Sequence, residues 1–125
     1  MLTLDGHLSG LEALVRQPLT ARLYVNEPDG EVVYASDLEE PLQNYTPVTV
    51  PPEIWKSDRV NYWVEAKERI TFTFTGKAGK IAGYFLTLGD SIVLYEPFMD
   101  PIPVNTNEDK IHVRPRIRAK RMAEA

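Results

Sequence analysis

Histidine is the side chain of this sequence best suited to general acid–base catalysis, because its pKa lies close to neutrality. The chain has two histidines, His7 and His112, and neither has a neighbouring acid or nucleophile in a recognised catalytic motif. Cysteine is absent, which excludes thiolate catalysis, disulfides and cysteine-ligated zinc. The adjacent Glu39 and Glu40 supply two carboxylates, but consecutive side chains do not converge on one site. We therefore predict that the protein is not an enzyme and has no catalytic residues.

Two segments contain incomplete ligand-binding motifs. Residues 76–80 are Gly-Lys-Ala-Gly-Lys, similar to a phosphate-binding loop, but they lack its spacing, its Ser or Thr and the helix that should follow. Asn105, Asn107 and Asp109 alternate like calcium ligands, but the glycine and glutamate that a calcium loop requires further along are missing. We predict no cofactor and no metal site.

The composition is typical of one small globular domain. The chain has 125 residues, of which 43% are hydrophobic and 26% are charged, so we expect a single domain over residues 1–125. No apolar run approaches the roughly 20 residues that span a bilayer, so we predict no membrane partner. Met1 to Gly10 contain no basic cluster and are not typical of a secretory signal. We expect the cytosol, or a particle assembled there.

The charge is distributed unevenly along the chain. Residues 110–125 hold six basic side chains and one acid, a formal charge of +5, whereas the preceding 109 residues hold 8 basic and 17 acidic side chains, a charge of −9. A basic end on an acidic body favours pairing with another copy or with an acidic partner. A solvated strand edge that resists aggregation is the alternative interpretation. The acidic pI of about 5.2 argues against nucleic acid as the partner.

Helical periodicity occurs only near the start of the chain. Apolar residues recur at helical spacing between residues 6 and 17, with Asp5 placed to cap the helix and Pro18 to end it. Whether this helix packs on its own domain or on a neighbour stays open. The period then changes to two. Strand patterns cover residues 19–27, 45–50, 60–66, 70–75, 80–88, 92–98 and 111–117, and residues 31–35 fit either a short returning strand or a loop.

Three further segments complete the predicted architecture. Residues 36–55 contain four prolines and several apolar residues, which indicates an ordered connection with an edge strand near its end. Residues 76–79 and 89–91 are predicted hairpin turns. Residues 110–121 form a basic C-terminal strand or tail, in which Pro115 indicates an edge or a bulge. The predicted fold is mainly β: an antiparallel β-sandwich or jelly-roll-like barrel with a short N-terminal helix.

The order of these elements resembles a family of small virion structural proteins of tailed bacteriophages. The matching segments are the helix Leu8–Val15 and the strands Leu19–Asn26, Ile70–Thr75, Ala82–Thr87, Leu94–Phe98 with Pro101 after it, and Ile111–Ile117. Two features depart from the family pattern. The Pro-rich segment 41–52 lacks a Gly-Tyr turn, and the last strand is unusually basic.

The resemblance implies a capsid cement or decoration subunit at the virion surface, assembled in the cytoplasm of a host bacterium. Its implied partners are the major capsid protein and other copies of itself, in a dimer or a trimer. The contact residues that we predict are exposed aromatic and arginine side chains, which are common at protein interfaces: Trp55, Tyr62, Trp63, Arg114, Arg116 and Arg118. The alternatives are core packing for Trp63 and a solvated face for the arginines.

Two other functions remain open from the sequence. The protein could be a structural component of the tail or neck rather than of the head. It could also be a carbohydrate-binding or host-surface module in which Trp55, Tyr62 and Trp63 form a stacking platform.

Overall fold

The computed structural model describes residues 3–119. In chain order its elements are α1 (Leu4–Val15), β1 (Leu19–Tyr24), β2 (Val48–Val50), β3 (Trp55–Asp58), β4 (Trp63–Ala66), β5 (Ile70–Thr73), β6 (Gly79–Leu88), β7 (Ser91–Val104), β8 (Lys110–Val113) and β9 (Arg116–Arg118). Single 3₁₀ turns cover Ala35–Asp37 and Pro52–Ile54. All strand pairs are antiparallel, and the predicted mainly-β class with a short N-terminal helix is confirmed. None of the sheets in residues 3–119 closes on itself, so the sandwich-like alternative fits and the barrel does not.

The chain divides into two compact units. Among the described residues, unit 1 comprises residues 3–18, 51–69 and 114–119, and unit 2 comprises residues 19–50 and 70–113. The single domain expected over residues 1–125 stays a prediction.

Unit 1 consists of α1 and a three-stranded sheet in the order β3-β4-β9. The helix runs from Leu4 to Val15 instead of the predicted 6–17, because Thr3 caps it: its hydroxyl accepts a hydrogen bond from the Gly6 amide at 3.1 Å. Asp5 lies in the first turn, where a carboxylate favours the helix dipole. The helix contacts β3 and β4 of its own chain, which answers the question that the sequence left open.

Unit 2 contains a four-stranded sheet in the order β2-β1-β6-β7 and the two-stranded sheet β5-β8. Its largest buried side chains include Tyr24, Phe72 and Phe85. Position 83 on β6 has to be glycine because the Tyr24 hydroxyl and the Glu96 carbonyl lie so close that a Cβ there would overlap them. The tight turn at residues 89–90 joins β6 to β7 as predicted, with Gly89 at a φ of +59°.

Several predicted strand limits differ from the observed ones. Residues 76–79 do not form a hairpin, since β5 pairs with β8 whereas β6 pairs with β1 and β7. Strand β7 continues through Pro97, Pro101 and Pro103, because it lies at the sheet edge, where a missing amide hydrogen can face away from the ladder.

The Pro-rich segment 36–55 contributes an edge strand, β2, and ends at Trp55, where β3 begins. Tyr45 forms an isolated antiparallel β-bridge with Phe74, which holds the middle of the segment in place. The basic region predicted as one strand or tail over 110–121 is two strands in different sheets. Pro115 separates them, since it has no amide hydrogen to continue a ladder. Lys120 and Arg121 lie outside the described residues.

Candidate functional site

The predicted contact residues all belong to unit 1, but they do not share one surface. The β3-β4-β9 register places Trp63 opposite both Asp58 and Arg118, and Glu65 opposite both Lys56 and Arg116. Directly opposed residues point to the same side of a sheet, so these six side chains share one side, which we call the arginine face. The other side carries Trp55, Ser57, Val64, Ala66 and Ile117.

Trp63 is the centre of the arginine face. The guanidinium carbon of Arg116 lies 4.1 Å from the centre of the Trp63 ring system, and that of Arg118 lies 5.3 Å from it. Both distances fall within the range of attractive cation–π contacts, each worth about 0.5–1 kcal/mol at an exposed site. Trp63 is half-buried and both arginines are exposed. The stacking therefore holds two cationic groups in defined positions at the surface.

Both carboxylates of the arginine face, those of Glu65 and Asp58, already have partners within unit 1. The Glu65 carboxylate pairs with Lys56 at 3.4 Å. Asp58 accepts hydrogen bonds within its own turn. Within residues 3–119, no carboxylate forms an ion pair with Arg116 or Arg118. The two guanidinium groups are thus available to an external anion.

The turn between β3 and β4 sets the position of Trp63. One carboxylate oxygen of Asp58 accepts from the amides of Val60 and Asn61, each at 2.9 Å, and the other accepts from the Asn61 side chain at 2.8 Å. These bonds, led by the one from the Asn61 side chain, lower the pKa of Asp58 below its usual 3.8. Tyr62 completes the reversal with a φ of +57°. Trp63 then enters β4 directly across from Asp58.

Arg114 has a different role from its two neighbours. Its Nε donates to the Ala66 carbonyl at 2.8 Å, and one terminal nitrogen donates to the Lys67 carbonyl at 3.2 Å. The side chain therefore fastens the end of β4 to the segment that precedes β9. Because these two bonds connect separate segments of unit 1, Arg114 is primarily a stabilising residue of that unit.

Trp55 and Tyr62 do not join Trp63 in a platform. Trp55 is only 9% exposed and lies across from Ala66, on the side opposite to Trp63. It lines a 170 Å³ cavity together with Val15 of the helix. Tyr62 is half-buried in the turn, and its carbonyl accepts from the Ala119 amide at 2.8 Å. The structure thus brings together Trp63, Arg116 and Arg118 out of the six predicted residues.

The helix is fastened to the side of the sheet that carries Trp55. Glu12 accepts from the Ser57 hydroxyl and from Arg59, both at 2.7 Å. Leu8 and Val15 on the helix are buried. Because α1 lies against this side, the arginine face is the opposite surface of the sheet.

Unit 2 contains a polar cluster in which the members satisfy one another. Arg22 donates to Glu40 at 3.2 Å and to Thr87 at 3.2 Å, while the Tyr45 hydroxyl donates to Glu40 at 2.7 Å and accepts from the Leu23 amide at 3.0 Å. Burial, and then the bond to Glu40, raise the pKa of Tyr45 above its usual 10.0. Glu40 is therefore part of a structural network.

The other groups considered for chemistry have local partners. His112 lies across from Thr71, with 2.9 Å between its Nδ1 and the hydroxyl. Asp109 accepts from the amides of Asn105 at 2.7 Å and Thr106 at 3.0 Å, which closes its loop. In the part of the chain that the structure describes, no group of three or more His, Asp or Glu residues could hold a metal ion. No helix among these residues has both the length and the apolar character to cross a membrane.

The sequence prediction missed three members of the arginine face: Lys56, Asp58 and Glu65. The available signal was the strand-like alternation around Trp63, which continues to Glu65. Only Trp55 of β3 lies in the predicted Pro-rich connection 36–55, and no strand was predicted over residues 56–58, so the cross-strand neighbours could not be identified. Comparisons of the chain with protein-family models, with curated proteins and with solved structures found no match.

Proposed function

We propose that the protein is a non-enzymatic virion structural protein of the capsid cement type. It docks on the major capsid protein lattice through the arginine face and reinforces the head. The observation that carries the proposal is the stacking of Arg116 and Arg118 on Trp63, with no internal carboxylate paired to either arginine in residues 3–119. Tryptophan and arginine are the residues most often dominant in binding energy at protein interfaces.

The geometry suits binding more than transformation. The arginine face presents the Trp63 ring and the charges of Arg116 and Arg118, and α1 packs on the opposite side of the same sheet. Preorganised side chains lose little conformational entropy on binding, which strengthens a contact of limited area. Many copies of such a subunit would stabilise an assembled shell by mass action, because they bind the assembled state and not its free parts.

The resemblance to phage virion proteins is the reason for proposing the major capsid protein as the partner. The segments that carry it include Ile70–Thr75 and Ala82–Thr87, which contribute to β5 and β6. The last matching segment, Ile111–Ile117, spans most of β8 and the first two residues of the basic strand β9. In this proposal the protein lies on the capsid surface, with other copies of itself around a symmetry axis.

The carbohydrate-binding alternative has less support. It requires Trp55, Tyr62 and Trp63 to offer their rings to one ligand, but Trp55 and Trp63 point to opposite sides of the sheet. Trp55 is also buried. A sugar could stack only on Trp63, where two guanidinium groups already lie.

Cryo-electron microscopy of virions that carry this chain tests the proposal. We expect copies distributed over the whole capsid lattice, with the arginine face turned towards the major capsid protein. Copies confined to one vertex, the neck or the tail would instead establish the tail or neck alternative. Copies over the lattice with the arginine face turned to solvent would refute this docking surface.

A further inference from the structure

Within residues 3–119, the outer edge of β9 has no paired strand, and its backbone groups and side chains are defined. The Ala119 amide donates to the Tyr62 carbonyl at 2.8 Å, and the Ala66 amide donates to the Pro115 carbonyl at 2.9 Å. Backbone groups alternate in direction along an antiparallel strand. Hence Pro115, Ile117 and Ala119 turn their backbone groups towards β4, whereas Arg116 and Arg118 turn theirs away from it.

No strand in residues 3–119 pairs with this outer edge, since β9 is the last strand of its sheet. Such an edge presents amide and carbonyl groups that can accept a further strand. Proteins often protect an edge with charged side chains that extend into solvent. Here the side chains of Arg116 and Arg118 stack on Trp63 instead, so they lie over the face of the sheet.

We propose that the outer edge of β9 binds an extended acidic segment of a partner protein as a fourth strand of the β3-β4-β9 sheet. The backbone groups of Arg116 and Arg118 form the ladder with this segment. Acidic residues two positions apart in the segment lie opposite Arg116 and Arg118 and pair with their guanidinium groups. The proposal rests on the proposed function, which makes the partner a protein of the capsid.

The charges of Arg116 and Arg118 indicate that the segment bound at this edge is acidic. On the β4 side, Arg116 faces Glu65, but that carboxylate is paired with Lys56. An incoming strand would place its own side chains directly opposite Arg116 and Arg118 on the arginine face. Two carboxylates at alternate positions would complete the charge pattern. A neutral or basic segment would leave two closely spaced cations uncompensated.

The probe for this proposal is a short synthetic peptide in which glutamate alternates with valine. Its control has the same composition with the glutamates placed side by side. We expect the alternating peptide to bind and to slow hydrogen exchange at the amides of Arg116 and Arg118. If both peptides bind equally and these amides remain unprotected, the contact is only electrostatic and the proposal is wrong. Absence of binding also overturns it.

Two substitutions of Arg118 distinguish the contribution of its backbone amide to peptide binding from that of its guanidinium charge. Arg118→Ala removes the guanidinium and keeps the amide, whereas Arg118→Pro removes both, at a position whose amide points away from β4. We expect Arg118→Pro to bind the alternating peptide about tenfold more weakly than Arg118→Ala, the effect of roughly one net hydrogen bond. Equal affinities of the two variants would contradict strand addition. Circular dichroism checks that both variants are folded, and hydrogen exchange on the unmodified chain gives a readout that needs no variant.

Two further results would each overturn strand addition by a partner protein without contradicting the rest of the proposed function. Protection of the Arg116 and Arg118 amides without peptide, increasing with protein concentration, would show that a second copy occupies the edge and would overturn this proposal. On virions, normal occupancy of Arg118→Pro together with loss of a variant in which Arg116 and Arg118 are both glutamate would refute strand addition alone. The proposed docking through the arginine face would stand in that case.

Discussion

Arg116 lies with its guanidinium carbon 4.1 Å from the centre of the Trp63 ring system, although the residue directly across from Trp63 on β9 is Arg118. Arg116 therefore reaches Trp63 diagonally, and both arginines contact one ring. This arrangement distinguishes the two exposed arginines of β9 from Arg114, which donates to backbone carbonyls.

Loss of the stacked guanidinium should destabilise unit 1 only slightly. We expect Arg116→Ala to lower the free energy of unfolding by about 0.5–1 kcal/mol, the usual worth of an exposed cation–π contact. It should also change the tryptophan fluorescence of the folded protein. Urea denaturation measures the first effect. Arg69→Ala, at an exposed arginine of the same unit, is the control and should change neither property.

Removal of Arg114 should cost more stability than removal of Arg116. Arg114→Ala deletes two charge-assisted hydrogen bonds to the Ala66 and Lys67 carbonyls. We expect a loss of about 1.5–3 kcal/mol in urea denaturation. A loss no greater than that of Arg116→Ala would contradict the stabilising role assigned to Arg114.

Gly83 should tolerate no side chain. An alanine Cβ there would overlap the Tyr24 side chain and the Glu96 carbonyl, so we expect Gly83→Ala to destabilise the protein by about 3 kcal/mol. Gly10→Ala is the matched control, because apart from the adjacent helix backbone no atom of residues 3–119 lies within 4 Å of its Cβ position in α1. That control should stabilise the protein by up to about 1 kcal/mol. Thermal unfolding of both variants under one condition checks the contrast.

Alkaline pH should destabilise the protein through Tyr84, which is buried, and Tyr45, which is half-buried. Burial raises the pKa of Tyr45, with the bond to Glu40 second, and burial raises the pKa of Tyr84, with the nearby Glu96 charge second. Each phenol loses its proton more easily in the unfolded chain, where its pKa is near 10.0. Stability is therefore fully present below pH 10 and falls as the pH rises above it.

Tyrosinate absorbance and circular dichroism during one alkaline titration test this mechanism. The absorbance of these two phenols should appear only together with loss of the folded signal. Tyr45→Phe and Tyr84→Phe each remove one such group, so the fall in stability above pH 10 should become less steep. Ionisation of all six tyrosines in the folded state would contradict it.

Acid should loosen the turn that positions Trp63. Hydrogen bonds from Asn61 lower the pKa of Asp58 below 3.8, so the stabilisation by this carboxylate is present above pH 3.8 and is lost as the pH falls through its lower folded value. Asp58→Ala should reduce stability at neutral pH and remove this part of the acid dependence. Denaturation of the two proteins at neutral and acidic pH should give curves that converge in acid.

The sequence was sufficient to predict the antiparallel class, the helix and most strands, because period-two alternation reports directly which side chains are buried. Residues 111–119 show this well, since burial alternates there without interruption. The alternation does not reveal that Pro115 divides the segment between two sheets, because that division depends on which distant strand each half pairs with.

The candidate site was predictable only in part for the same reason. Residue type identified Trp63, Arg116 and Arg118, but a list of aromatic residues could not reveal that Trp55 faces the helix. Lys56, Asp58 and Glu65 became part of the arginine face only through the register of β3 and β4. Partners that are distant in sequence, such as Ala66 for Arg114, are fixed by tertiary structure.

Docking through the arginine face is tested most directly by the occupancy of capsids with a charge-reversed variant. Arg116 and Arg118 are both replaced by glutamate, and the control carries the same charge change at the exposed Lys77 and Lys80 of unit 2. We predict that the arginine variant fails to bind purified capsids, that the control binds normally, and that binding of the unmodified protein weakens with rising salt. Equal occupancy of the two variants would contradict the account.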